Sequence, residues 1–393
     1  MDSGECWHEH VYDFNAGEAL RQTVSIMESL KSGKPGRNQF GFTLIELMIG
    51  VLIGALSTLV IAKVFAFSEG QRRATATGSD AQVNGALALY AIQRDAEMAG
   101  YGLTQSLDAL GCAVKSKFNG ANLPDWTLAP VLITAGAGGA PDSINLVGSA
   151  TTRYSMPSRV VSNHLKTDTT FFTITTIGMA VGDLMVAVPQ TFDNVNTYCS
   201  VFNVTSFAAG NQVIHASNAT WNPPAGSEIF PNGGYPANSY LLNLGTVLAR
   251  TYSISANRTL RMTSFDSTTG AWAAPTDLFP EIVQLQAFYG KDTDGDGVVD
   301  IYDKVLPTTN AGWRQIIAVR IALVARSSQF EKEPVTPSNP LWDVGTAVPV
   351  AGSAACGSSK CITLKVDTLT DWTRYRYRVY DVVIPLRNVL WHA

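Results

Sequence analysis

Beyond residue 41 the chain has no C-x-x-C pair and no grouping of cysteine with histidine, so a zinc site or thiol redox chemistry finds no support. It has no G-x-S-x-G elbow and no phosphate-cradling glycine loop, and His164, His215 and His392 stand apart from any partner motif. These gaps argue against an enzyme and leave the histidines as ordinary surface or core residues. Charge is scarce too. Lys and Arg number 28 against 32 Asp and Glu, and a formal net charge of −4 offers no long-range attraction for nucleic acid or anionic lipid. No internal repeat and no low-complexity linker divides the chain.

One absence is local and informative. From Phe42 to Ala62 there is no charged residue except Glu46, within the run G-F-T-L-I-E-L-M-I-G-V-L-I-G-A-L that begins at Gly41. At about 1.5 Å per helical residue this stretch covers the roughly 30 Å hydrocarbon core of a bilayer, so it reads as a membrane-spanning helix. A carboxylate surrounded by lipid must snorkel, neutralise or find a partner, and its default reading is functional.

The Gly41/Phe42 junction, the apolar run behind it and a Glu five residues into the chain after that junction resemble the class III signal of type IV pilins and type II secretion pseudopilins. The resemblance implies that a prepilin peptidase cuts between Gly41 and Phe42 and methylates the new N-terminus. It implies that Glu46 pairs with the N-terminal ammonium of a neighbouring subunit, which neutralises two charges that lipid disfavours. Three further segments narrow it: Q-R-D-A-E-M-A-G-Y-G from Gln93, W-R-Q-I-I-A-V-R-I-A-L-V-A-R-S from Trp313, and Y-R-Y-R-V-Y-D-V-V-I-P-L-R-N from Tyr375 are similar to the PilW-type minor pilins. Residues 105–275 align to nothing.

The implied organisation is a leader at 1–41, a transmembrane half-helix at 42–67, an amphipathic half at 68–102 and an extracytoplasmic β-rich domain at 103–393. The expected fold class is α+β, a long pilin helix packed on a large, mostly antiparallel β domain. Residues 1–26 carry five acidic groups against Arg21 alone, the wrong sign for a segment kept in the cytoplasm. A start at Met27 gives a short basic leader with Lys31, Lys34 and Arg37. Some 290 residues beyond the helix suffice for one large domain or two small ones.

Cys112, Cys199, Cys356 and Cys361 fall in the part that crosses the membrane, and an even count in an oxidising compartment leads us to expect two disulfides. Three pairings exist. Cys356 and Cys361 enclose only G-S-S-K, which favours a small loop there and Cys112 with Cys199.

The helix is expected to run on past Ala62, turn polar at S-E-G-Q-R-R, bury a face carrying Val83, Leu87, Tyr90 and Met98, and end at Gly100 and Gly102. From about 103, short β-branched runs separated by Gly, Pro and Asn read as strands: S-I-N-L-V, T-F-F-T-I-T-T-I, D-L-M-V-A-V and Y-L-L-N-L-G-T-V-L-A-R-T-Y-S-I. Val319, Ile321 and Leu323 alternate with Arg320, Ala322 and Val324 as a half-buried strand. Arg374, Arg376 and Arg378 alternate with Tyr375, Tyr377 and Val379, a solvated sheet face. Residues 331–340 are a surface loop.

D-T-D-G-D-G-V-V-D-I-Y-D, 292–303, is the one metal constellation. Asp292, Asp294, Asp296, Asp300 and Asp303 occupy loop positions 1, 3, 5, 9 and 12, Gly297 holds position 6, and Val298 offers a backbone carbonyl at position 7. Hard oxygen ligands at this spacing with a glycine for the sharp turn are what a calcium loop requires. The last ligand is Asp where Glu is usual. Calcium is expected to pin the loop between two strands.

Three functions stay open on the sequence. The first is a minor pilin of a type IV pilus that primes or caps the filament at or near its tip. In that role it partners other major and minor pilins through the N-terminal helix and sits in the inner membrane, head in the periplasm, before assembly. The second is a J-type pseudopilin of a type II secretion system. The third is an adhesive tip module in which Trp221, Trp272 and Trp342 contact a surface.

Overall fold

A computed structural model describes residues 41–391 except 152, 154, 155, 218, 219, 225 and 227, with the side chains of 70, 71 and 73–80 also outside the description. Residues 1–40 of the expected leader therefore lie outside the described residues, as does His392. The described residues divide into two compact units, one ending at Glu69 and the other beginning at Gly70.

One α-helix, Leu44–Met98, runs for 55 residues. In the first unit its segment Leu44–Glu69 is 26 residues long and apolar enough to cross a membrane by length and composition, and no side chain there is buried by protein. In the second unit the helix lies on β-sheet, but not through the residues the periodicity singled out. Val83 (52% exposed), Leu87 (47%), Tyr90 (61%) and Met98 (56%) face outward. The buried face is Ala81, Gly85, Ala88, Leu89, Ile92, Ala96 and Ala99. The reason is steric. A Cβ on Gly85 would stand 2.3 Å from the Tyr380 ring, so small residues set how closely helix and sheet approach. Gly100, at φ 83°, ends the helix and donates its N–H to the Val147 carbonyl at 2.8 Å.

The sheets are antiparallel except where Ala113–Lys115 runs parallel to Cys199–Asn203. A four-stranded sheet orders Ile301–Asp303, Ile282–Lys291, Ile316–Arg326 and Tyr377–Pro385. A second orders Ala271–Trp272, Thr259–Asp266, Val247–Ile254, Ser143–Ser149 and Val131–Thr134, with Thr276–Pro280 added beside Thr259–Asp266. Both meet the helix in one core through Ile144, Leu146, Tyr252, Leu285, Val319 and Ile321. A third sheet, from Trp126–Thr127 to Ser158–Arg159 through Cys199–Asn203 and Leu184–Val188, covers the far side of the second through Val147, Val186, Val201 and Leu242.

The long run from Tyr240 splits at Gly245, φ 55°, into Tyr240–Gly245 of the third sheet and Val247–Ile254 of the second. The run T-F-F-T-I-T-T-I shrinks to Thr170–Phe172. Strand Ile316–Arg326 is buried on both faces, where alternation predicted one. Its second face, with Ala322 and Val324, is covered by Trp342, Val344 and Leu364. The two disulfides are Cys112–Cys199, Cα atoms 5.9 Å apart, and Cys356–Cys361 at 5.7 Å.

Candidate functional site

The start of the helix is built around Glu46. Thr43 precedes the first helical residue, and its N–H and Oγ1 donate to Glu46 Oε2 at 3.1 and 3.0 Å. The N–H of Glu46 donates back to Thr43 Oγ1 at 3.3 Å. This is a capping box, in which a Thr and a Glu three residues later satisfy one another's unpaired helix-end groups. Reading the sequence for charge missed it, although T-L-I-E carries the signature. The carboxylate thus sits at the positive end of the helix dipole, with Phe42 immediately before the cap.

Further along, Val83, Leu87, Tyr90 and Met98 fall close to one line on the helix and leave an apolar stripe exposed. The end of the helix gathers the segments quoted above. Asp95 takes Arg250 Nη1 at 2.7 Å and the Tyr252 hydroxyl at 2.6 Å, and burial together with that carboxylate holds Tyr252 protonated. Asn388 donates Nδ2 to the Ala99 carbonyl at 3.0 Å, and its own carbonyl accepts from Thr104 Oγ1 at 2.7 Å. Trp313 is buried against Gly111, where a Cβ would come within 2.3 Å of the indole. Helix end, Trp313 segment and C-terminal strand are therefore parts of one packing unit.

In the acidic loop, Asp292, Asp294 and Asp300 bring carboxylate oxygens within 4.8 Å of one another. Asp292 is fixed by N–H donors from Gly295 at 2.6 Å and Gly297 at 2.8 Å; burial disfavours its charge, but these amides outweigh that and lower its pKa. Thr293 donates both its hydroxyl and its N–H to Asp300, which lowers that pKa. Asp294 is raised: the Asp296 N–H favours its charge, yet the carboxylates of Asp296, Asp300 and Asp292 prevail.

Two expected ligands fall outside that group. Asp303 pairs with Lys291 Nζ at 2.7 Å, because that largely buried ammonium needs a counter-charge on the adjoining strand. Asp296 accepts the Val298 N–H at 2.8 Å in a tight turn, and Val298 is exposed. The three-carboxylate group and the glycine at φ 84°, Gly297, fit a hard cation with water completing its shell.

His164 and His215 are not isolated. His164 Nε2 and His215 Nε2, 51 positions apart, lie 2.8 Å from one another among Phe171, Phe202 and Phe230. Of the three tryptophans considered as surface contacts, Trp221 and Trp342 are buried, and Trp272 is 48% exposed. Arg376 pairs with Glu331 at 3.0 Å, and Arg374 lies over Phe330.

Residues 249–388 match the family model described as type IV pilus-assembly protein W, and residues 36–62 match the prokaryotic N-terminal methylation motif. The first match takes in Arg250, the acidic loop, Trp313 and Asn388; the second takes in Gly41, Phe42 and Glu46. A type IV-like pilin from Thermus thermophilus is similar at 10% identity and a TM-score of 0.31, over 78% of this chain and 97% of its own. A comparison with curated proteins finds no match. Over the two matched segments the chain is similar to type IV pilins, and it has a long N-terminal helix and a mostly antiparallel β domain. Within that class it resembles the PilW-type minor pilins.

Proposed function

We propose that the protein is a minor pilin inserted at or near the tip of a type IV pilus, where it primes or caps the filament. Prepilin peptidase cuts between Gly41 and Phe42, residues 42–67 hold the protein in the inner membrane with its head in the periplasm, and Glu46 then meets the amine of a neighbouring pilin. The observation that carries this reading is the apolar surface left uncovered in each unit: the Leu44–Glu69 segment in the first, and the Val83, Leu87, Tyr90 and Met98 stripe in the second. Such a surface is buried only by other helices or lipid. A domain of some 290 residues packs poorly in a thin helical fibre, which favours a tip over bulk duty. We assign no catalytic role.

The capping box makes the test selective. Gln also suits the third helical position, so Glu46→Gln keeps the cap and removes the charge, whereas Thr43→Val weakens the cap and keeps the charge. Glu46→Gln and Glu46→Ala should both leave the protein in the membrane fraction and lower its amount in sheared pili at least tenfold; Thr43→Val should change it by less than twofold. Normal incorporation of Glu46→Gln would refute the pairing role. Mass spectrometry of the same pili should find a peptide that begins with methylated Phe42.

We also propose that the acidic loop binds calcium, a reading supported by the carboxylate group at Asp292, Asp294 and Asp300 and by the mutual repulsion that raises Asp294. With a dissociation constant near 1 mM, 10 mM calcium adds about 1.4 kcal/mol and raises the melting temperature by roughly 3 °C. Asp294 accepts one hydrogen bond, from the Asp296 N–H at 3.2 Å, so Asp294→Ala should abolish that shift with little change in calcium-free stability. A full shift in the variant would count against the site.

A further inference from the structure

The second and third sheets do not close against one another along their whole length. Between them lies a cavity of about 490 Å³, within the range of small-molecule sites. Part of the lining is aromatic. Trp221 and Phe265 meet edge to face at 6.4 Å, Phe265 and Trp272 at 5.7 Å, and Trp126 adds a fourth ring to the lining. The Trp221 N–H donates to the Ser267 carbonyl at 3.0 Å, which fixes that ring.

The second sheet, which carries Phe265 and Trp272, also lines the cavity with apolar Leu132, Val147, Val247 and Ala249, and among these it sets a group of polar side chains. Thr134 and Ser143 are cross-strand partners, as are Asn145 and Thr251, and all four line the cavity. Asn145 Nδ2 donates to Thr251 Oγ1 at 2.8 Å, which orients the amide. Among the lining residues Asp125 carries the one charge, and no Lys or Arg is present.

This composition selects a ligand. An anion meets a carboxylate and no cation, and an acyl chain strips water from hydroxyls and an amide without replacing their hydrogen bonds. A pyranose suits this mixed lining: one ring face presents apolar C–H groups that lie flat on an indole, and its rim of hydroxyls pairs with Ser, Thr and Asn. The geometry points to a binding site for a neutral saccharide of one or two pyranose rings, stacked on Trp272 at the mouth and hydrogen-bonded to Asn145 and Thr251. The site goes beyond the pilin reading and does not depend on it, since every residue named lies in the β domain.

The test uses the full chain in an amine-oxide detergent, which has no sugar headgroup. Glucose, galactose, mannose, N-acetylglucosamine, lactose and diacetylchitobiose are titrated while saturation-transfer NMR and tryptophan fluorescence are followed. At least one should bind saturably, with Trp272→Ala weakening it tenfold or more and Trp272→Phe, which keeps a ring, retaining part of the affinity at an unchanged melting temperature. Silence across the panel overturns the assignment. So does equal binding by the wild type and Trp272→Ala, or a response to sodium decanoate alone.

Discussion

Replacing Cys112 and Cys199 together by Ala should lower the unfolding free energy by about 4–5 kcal/mol, the chain-entropy value for a bridge closing a loop of 87 residues. Both side chains are fully buried, so two small voids add to the loss. The bridge also has a topological task. Cys199 is paired with Val114 in the parallel ladder between Ala113–Lys115 and Cys199–Asn203, and a three-residue parallel strand has little of its own to hold it in register. The Cys356–Cys361 bridge closes a short turn between Ala354–Cys356 and Ser359–Thr363, and its loss should cost only about 2 kcal/mol. Urea unfolding of the two double variants and of the reduced wild type measures the contrast. Equal losses from the two bridges would show that the long loop is held by packing alone. Against a usual total of about 5–15 kcal/mol, the larger loss puts the fold close to its limit.

How much the sequence disclosed depended on whether the informative residues were neighbours in it. Gly41, Phe42 and Glu46 sit at fixed offsets within six positions, so the N-terminal motif was plain. The acidic loop was equally local, yet three of its five carboxylates form the close group, because Lys291 claims Asp303 from the strand alongside and Asp296 accepts the Val298 N–H. The helix was found, but its faces were exchanged. Bulk was read as burial, whereas Gly85, Ala88 and Ala96 are buried because Tyr380 and the sheet come too close for anything larger. The outward Val83, Leu87 and Tyr90 carry the same hydrophobic periodicity as a buried face, and a single sequence does not distinguish an exposed apolar stripe from a core. The Asn145/Thr251 contact in the cavity and the His164/His215 pair join positions dozens of residues apart. No spacing rule announces them.

The histidine pair makes the second large prediction, a loss of stability in mild acid. Burial pushes His164 down to about 4, and burial with the neighbouring His164 pushes His215 down to about 3, with Asp168 opposing in part. Two Nε2 atoms at 2.8 Å need one donor and one acceptor, so two imidazolium ions would set donor against donor inside a ring of phenylalanines. The sign follows from linkage. The unfolded chain takes up protons near pH 6.5 and the folded one does not until about 4, so the stabilisation present above 6.5 is lost as pH falls through that window. Between pH 7.5 and 5 each histidine should remove about 2 kcal/mol. Few carboxylates titrate in that interval, which leaves the slope to the pair. His164→Leu with His215→Leu replaces both partners by apolar groups, a change that can be nearly neutral at pH 7.5, and it should flatten the dependence. Urea midpoints at pH 7.5, 6 and 5 decide it: a slope that survives in the double variant assigns the acid sensitivity to other groups.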